Sequence, residues 1–471
     1  MMFAITMSVP WAFAWVGQDA ALPAYGNAMG WTLGFGALLF FGLRKVGRRE
    51  LQPRDGFLLV VLVWSVLPVF GALPLMLHLP DLSFTDAYFE AMSGLTTSGA
   101  TVLTGLDTLP TSVNVWRCFM VLIGGMGILV LAVAILPLLG VGGSQLFKAE
   151  TPGPMKDQKL TPRIAETARG LWGVYFGVAL LCFLSYGAAG MGWADAFMHM
   201  CSTMGLGGFS SYDASFGHFN SPAIEAVAVL FMLLAGVNFA LYFVAVRRRS
   251  LKGLWRDLET RAFFSLMLAA VLGIALFLFF HGTYATFLEA LRHAAFNVVS
   301  VATTTGYASV DYAQWPIFAP VLMLFLCCFA TCAGSTGGGI KMVRALLLLK
   351  QASAEMTRIV HPRAVVPTLL GGGVVDARVL QSVLAFMLVY GAVMIGATLL
   401  LLASGLDLVT AFTAVVACIN NTGPGLGQVG PSSNYQGLSD FQTWVCSATM
   451  LLGRLELFSV LVLLTPGFWR K

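Results

Sequence analysis

Charge is what this chain has least of. Only 10% of its 471 residues are Asp, Glu, Lys or Arg, against about 25% in a soluble domain. The length would allow two or three soluble domains, but that scarcity excludes them. Histidine is sparse too: the six residues, at 78, 199, 218, 281, 293 and 361, are scattered. None stands beside cysteines at zinc-type spacing. The eight cysteines, at 118, 182, 201, 327, 328, 332, 418 and 446, lie in or near apolar stretches. Small apolar packing accounts even for the group at 327, 328 and 332, and no disulfide framework is implied. No enzyme apparatus is visible. The net charge of +5 comes from basic residues dispersed over separate loops with no reader fold, which gives nucleic-acid binding no support; topology and anionic headgroups account for it. The first residues lack a basic n-region and an A-x-A-like site, so no cleaved signal peptide is expected.

Apolar sequence is there in abundance, at 58% of the chain. Spanning a bilayer takes about 20 such residues per helix. Candidate spans are 56–77, 119–139, 170–190, 223–246, 263–280, 317–331, 379–403 and 443–465, preceded by 1–16, which is short, and 30–43. Basic residues cluster at 44–54, 148–169, 247–261, 341–378 and 470–471, leaving out only Arg117, Arg292 and Arg454. Every cluster follows an even-numbered span, so all can share one face, which the positive-inside bias makes cytoplasmic.

Four short segments share one pattern: Thr96-Thr97-Ser98-Gly99-Ala100, Gly205-Leu206-Gly207-Gly208-Phe209, Thr304-Thr305-Gly306-Tyr307 and Asn421-Thr422-Gly423-Pro424-Gly425. Their shared glycines are read as Gly99, Gly207, Gly306 and Gly423, roughly 100 residues apart, an internal repeat. Each turn follows a short amphipathic half-helix, expected at 84–95, 193–204, 286–302 and 407–420. Three of these begin near an acid, Asp86, Asp195 or Asp407, which offsets the helix dipole. The opposite, partially negative ends then point at the turns, and four such ends favour a cation. Glycine at positive φ lets carbonyls face an axis; a ring of them replaces the water shell of a dehydrated cation. Small residues also permit close helix packing, but four copies in register after four half-helices point to a pore. The fold expected is an all-α polytopic membrane protein: four repeats of helix, pore half-helix, filter turn and helix around one pore, after an N-terminal helical hairpin. The boundaries are 1–50 for the hairpin and 51–145, 146–250, 251–362 and 363–471 for the repeats.

Further strings extend the pattern: Gly94-Leu95-Thr96-Thr97-Ser98-Gly99-Ala100-Thr101, Gly124-Gly125-Met126-Gly127, Gly207-Gly208-Phe209-Ser210, Ala302-Thr303-Thr304-Thr305-Gly306, Asn420-Asn421-Thr422-Gly423-Pro424-Gly425-Leu426-Gly427 and Leu452-Gly453-Arg454-Leu455-Glu456. Val133-Ala134-Ile135-Leu136-Pro137 before Gly140-Val141-Gly142-Gly143 belongs with them, as does Cys332-Ala333-Gly334-Ser335-Thr336-Gly337-Gly338-Gly339. On these strings the chain resembles, over nearly its full length, the TrkH-type potassium-translocating subunit of the bacterial Trk/Ktr/HKT superfamily. The resemblance implies potassium as the transported ion, with no organic cofactor in this chain. It implies a homodimer in the bacterial inner membrane, with a cytoplasmic TrkA-type nucleotide-binding regulatory subunit. The implied potassium ligands are the backbone carbonyls of Thr97, Ser98, Gly205, Leu206, Thr304, Thr305, Asn421 and Thr422, bordered by the filter glycines Gly99, Gly207, Gly306 and Gly423.

A second glycine-rich segment, Gly334-Ser335-Thr336-Gly337-Gly338-Gly339, interrupts the third repeat, where a helix cannot be sustained. It is not a Walker A loop: Ile340 intervenes before Lys341 and no strand precedes it. Gly423-Pro424-Gly425-Leu426-Gly427 fails as a dinucleotide motif for the same lack. The resemblance makes 334–339 a gate loop below the filter. Arg454, deep in the last apolar stretch where charge is costly, is expected to face the pore and bond carbonyls of that loop. Asp81, Asp107, Asp213 and Asp311, near the outer face, could concentrate cations at the mouth, but ordinary loop solvation accounts for any one of them. The function expected is gated, channel-like potassium uptake. The alternative is proton- or sodium-coupled potassium symport, which would want a relay of embedded acids; few stand out beyond Glu225 and Glu456. A transporter of another solute is disfavoured by four cation-type turns.

Overall fold

The computed structural model describes residues 1–44, 53–134, 160–371 and 373–470. The string at 140–143, most of the basic clusters at 44–54 and 148–169, and the boundaries at 50 and 145 lie outside them. Among the described residues, six helices are long and apolar enough to cross a membrane: Leu22–Leu43, Arg54–His78, Thr111–Leu129, Ala168–Ala188, Leu258–Phe280 and Ala377–Ala403. Two bent pairs bring the number to eight. The first stretch folds as the shorter Met2–Val16, and the expected span at 317–331 as Phe318–Phe329.

The bent pairs correct two expected continuous spans. Pro222–Ala235 and Phe239–Arg248 meet at 88°, and Asp440–Arg454 and Phe458–Leu464 at 107°. In the first, Asn238 restarts the helix by accepting the N–H of Ala240 at 2.9 Å, an N-cap in mid-membrane. The opened backbone is then satisfied by the glycine-rich segment: Phe239 N–H donates to the Gly334 carbonyl and Cys332 N–H to that of Gly236, both at 3.1 Å. This is how irregular backbone persists at membrane depth. In the second, Glu456 and Leu457 adopt φ of 54° and 52°, which ends the helix at Arg454.

Between the spans sit four pore helices, Phe84–Leu95, Trp193–Gly205, Phe287–Ala302 and Leu408–Ile419, within a residue or two of expectation. Hydroxyl or carboxylate caps start three of them: Ser83 accepts from Asp86 N, Thr286 from Glu289 N and Asp407 from Thr410 N. Glu289 supplies the first-turn acid that sequence reading missed in the third. The C-terminal half of each of these helices is buried. Of the long helices, Thr111–Leu129 has 72% of its most apolar stretch buried and Leu22–Leu43 only 11%. The former therefore belongs to the interior and the latter faces lipid, where hydrocarbon takes the place of a protein core. A two-stranded antiparallel ribbon, Leu369–Leu370 with Gly373–Val374, lies in the basic loop at 341–378. All eight thiols are free and all but Cys328 are buried.

Candidate functional site: a ring of four turns

Each pore helix ends in the same way. The N–H of Ser98 donates to Ser93 O, Gly207 to Ser202 O, Thr305 to Ser300 O and Thr422 to Ala417 O, at 2.8 to 3.0 Å. These are the long bonds of a Schellman motif, whose preceding residue is left-handed. That residue is not glycine in any copy: Thr97, Leu206, Thr304 and Asn421 have φ of 55°, 54°, 62° and 54°. Threonine there is uncommon and strained. A second left-handed residue follows two positions on, and it is always glycine: Gly99, Gly208, Gly306 and Gly423, with φ of 79°, 55°, 87° and 95°.

This register corrects the second repeat. Gly208, not Gly207, matches Gly99, Gly306 and Gly423. The equivalent pair before it is Leu206 and Gly207, and Gly205 belongs to the last turn of the helix. The doubled glycine made the two choices indistinguishable in sequence.

The four turns close on one another. A Cβ on Gly99 would collide with the carbonyl of Gly207, one on Gly208 with that of Thr305, one on Gly306 with that of Thr422, and one on Gly423 with that of Ser98 at 2.7 Å. The contacts run from each repeat to the next and return to the first. Ser98, Gly207, Thr305 and Thr422 occupy one position in the four turns, so their carbonyls form one level; Gly207 takes the place that was expected of Leu206. Thr97, Ser98, Leu206, Thr304, Thr305, Asn421 and Thr422 are all fully buried. Hydroxyl pairs stiffen two turns from behind: Thr96 with Ser98 at 2.9 Å and Thr303 with Thr305 at 2.8 Å. Asn421 donates across to Ser98 Oγ at 2.9 Å, and Tyr435 donates to Gly423 O at 2.8 Å. Gly99, Gly208, Gly306 and Gly423 all line one small cavity of about 80 Å³ on the outer side. Asp213 lines it too, with its carboxylate engaged by the N–H groups of Gly105 and Leu106.

The segment 334–339 lies against the inner side. Gly338 N–H donates to Thr304 Oγ1 at 2.9 Å, and Thr336 Oγ1 donates to Met204 O at 3.0 Å. A Cβ on Gly338 would collide with the carbonyl of Asn420, and one on Gly337 would stand 3.1 Å from Thr303 O. The segment thus touches the ends of the second, third and fourth pore helices. Arg454 completes the circuit, donating to Thr336 O at 2.9 Å and to Gly124 O at 3.2 Å; Gly124 packs on the carbonyl of Leu95, the end of the first pore helix. Lys341 Nζ donates to the next carbonyl, Gly337 O. Gly334, Ser335 and Gly339 form the shoulders of the loop, and Ser335 is bonded back to Cys332 O.

Three other embedded arginines are paired with glutamates. Arg117 bonds Glu90 at 2.7 Å, with both side chains fully buried. Arg292 bonds Glu225 at 2.6 Å, and Arg344 bonds Glu456 at 2.5 Å. Glu90 was missed in sequence; the signal was Arg117, a basic residue outside every loop cluster and in need of a partner.

The comparisons with known proteins agree with this architecture. The TrkH family model, described as a cation transport protein, matches residues 27–470. The Trk system potassium uptake protein TrkH of Escherichia coli (strain K12) is 46% identical over all of this chain and 97% of its own length. The Trk system potassium uptake protein TrkG of the same strain is 41% identical, over 90% of this chain and 87% of its own. The crystal structure of the potassium transporter TrkH from Vibrio parahaemolyticus superposes with a TM-score of 0.92 at 43% identity, covering all of this chain and 97% of that one.

Proposed function

We propose, for a chain that belongs to the TrkH family of cation transport proteins, that it is a multi-pass bacterial inner-membrane protein for potassium uptake, through a channel-like filter of backbone carbonyls. The observation that carries this reading is the closed circuit of turn contacts from Gly99 through Gly208, Gly306 and Gly423 back to Ser98. Carbonyls at one level offer a dehydrated cation oxygen ligands in place of water, and the buried C-terminal ends of four pore helices add partial negative charge. Potassium is bound by the carbonyls of Thr97, Ser98, Leu206, Gly207, Thr304, Thr305, Asn421 and Thr422. Because the four turns differ in sequence, the ring is only approximately fourfold.

The segment 334–339 is the gate, held shut below the filter by Arg454. A flexible loop of glycines tethered by hydrogen bonds can swing aside without unfolding a span. The gate is set by a cytoplasmic TrkA-type nucleotide-binding subunit, and the chain works as a homodimer. Among the described residues no strand–glycine loop–helix unit offers a nucleotide site, which supports a sensor on a partner.

A membrane potential of 100 mV contributes about 2.3 kcal/mol per charge, enough to drive accumulation without a coupled ion. Coupled symport is the alternative. The pairing of Glu90, Glu225 and Glu456 with arginines favours the uncoupled reading, since a relay needs acids that exchange protons. Potassium flux into liposomes, with and without an imposed proton or sodium gradient, tests both. Flux that follows the potassium gradient and voltage alone supports the channel; flux that requires the second gradient overturns it.

A further inference from the structure

The strand that leaves each turn toward the outside is held from behind by one buried side chain of the preceding pore helix. In the first repeat Glu90 Oε2 accepts the N–H of Val102 at 3.0 Å. In the third, Asn297 Oδ1 accepts the N–H of Ser309 at 3.2 Å, and its amide donates to Ser309 Oγ at 3.0 Å. In the fourth, Thr413 Oγ1 accepts the N–H of Leu426 at 2.9 Å. Val102, Ser309 and Leu426 each stand three residues beyond the glycine of their turn. In the second repeat, His199 Nε2 meets Ser210 Oγ at 3.0 Å, while Nδ1 faces its own helix at Asp195 O.

The four braces share a place as well as a job. Glu90, His199 and Asn297 lie nine residues before Gly99, Gly208 and Gly306; Thr413 lies one residue earlier than its equivalent, which is Ala414. All four are buried, three of them completely. Carboxylate, imidazole, amide and hydroxyl have little in common beyond the ability to hydrogen-bond; in three repeats the bond to the exit-strand N–H recurs, and in the second a bond to the Ser210 hydroxyl stands in for it.

The first brace is charged, and Arg117 extends it. The guanidinium donates to Glu90 Oε1 and to Ser210 O at 3.0 Å, and lies 4.4 Å over the Phe209 ring. One buried cluster therefore ties the exit strand of the first turn to that of the second. A buried ion pair adds little net stability over an apolar pair of the same shape, which directs attention to geometry.

We propose that Glu90, His199, Asn297 and Thr413 are positioning residues that fix the exit strands, and through them the width of the carbonyl ring and its discrimination between potassium and sodium. The proposal rests on the filter reading above. A strand released on one side lets its carbonyls shift by a fraction of an ångström, which suits the smaller ion.

The test uses the full chain in a cell deficient in potassium uptake, with relative permeability measured by reversal potential or competitive uptake. Thr413→Val keeps shape and removes the hydroxyl, whereas Thr413→Ser keeps the hydroxyl. The sodium-to-potassium ratio is expected to rise roughly fivefold in Thr413→Val, the factor corresponding to one net hydrogen bond, and to return to the parent value in Thr413→Ser. Asn297→Leu is expected to raise it similarly. Gly306→Ser is measured alongside. An unchanged ratio in Thr413→Val, with normal surface expression and flux, overturns the brace if Gly306→Ser alters the ratio or abolishes flux. If Gly306→Ser has no effect, the filter itself is overturned. A rise that Thr413→Ser fails to reverse also overturns the brace, because shape and not the hydrogen bond would then be responsible.

Discussion

The guanidinium of Arg454 donates to the carbonyl of Thr336 at 2.9 Å, so the end of a helix in the fourth repeat holds the loop of the third. A buried charge is costly without a partner; among the described residues Arg454 meets no carboxylate, and two backbone carbonyls, Thr336 and Gly124, accept from it. Replacing Arg454 by Ala should raise basal potassium flux about tenfold, as expected for loss of one charge-assisted hydrogen bond. The sodium-to-potassium ratio should change little. Deleting 334–339 should act in the same direction. Basal flux in liposomes that stays at the parent level, with normal folding, would remove Arg454 and the loop from the gate.

The carbonyl ring has its own test. Gly99→Ser or Gly306→Ser places a Cβ against the next repeat's carbonyl and penalises the left-handed backbone. Discrimination against sodium should weaken, or potassium flux disappear. Gly396→Ala is the control, because a Cβ there meets nothing within 4 Å. Competitive uptake of the two ions reads the difference; an unaltered ratio in both filter variants would show that these glycines do not border the ion path.

Arg344 and Glu456, bonded at 2.5 Å, join the helix after the loop at 334–339 to the bend after Arg454. Glu456 is 27% exposed and Arg344 9%, so solvent screens the pair in part. Glu456→Gln should lower stability by about 1–2 kcal/mol. Combining it with Arg344→Gln should cost less than the two single changes together. Melting of the purified protein in detergent measures both; strict additivity would mean that the residues do not interact.

Flux from this chain alone should not respond to nucleotides. Adding the cytoplasmic regulatory subunit to the liposomes should confer the response. Nucleotide-dependent flux without that subunit would place the sensor in this chain.

The spans and pore helices were legible because hydrophobic length and helix caps are local properties: Ser83, Thr286 and Asp407 stand where a cap should. The bends at 236–238 and 455–457 were not. The first is satisfied by residues distant in sequence, Gly334 and Cys332, the second by bonds back to Leu451, Leu452 and Gly453, and neither carries a proline to announce it. The filter register in the second repeat escaped because Gly207 and Gly208 are the same residue type, and only φ and the Ser202 bond separate them. Glycine was expected to supply the positive φ throughout. At Thr97, Leu206, Thr304 and Asn421 the packed surroundings impose it on other residues. The bond from Arg454 to the loop was anticipated, since a charge in an apolar stretch has few ways to be satisfied. Glu90 was overlooked because an acid in an amphipathic helix ordinarily faces water.

The circuit of turns also has a direction in time. Each of the first three turns leans on a neighbour that leaves the ribosome later, and the last leans back on the first. Asn421 reaches Ser98 across 323 positions of chain. Contacts this distant form late and slowly, so until the fourth turn is made the membrane holds an arc of turns whose outermost members lack a neighbour. If the ring is the ion path, the nascent protein is leak-proof only while the incomplete arc stays collapsed or plugged, and that path exists as an object only after the fourth repeat has been inserted.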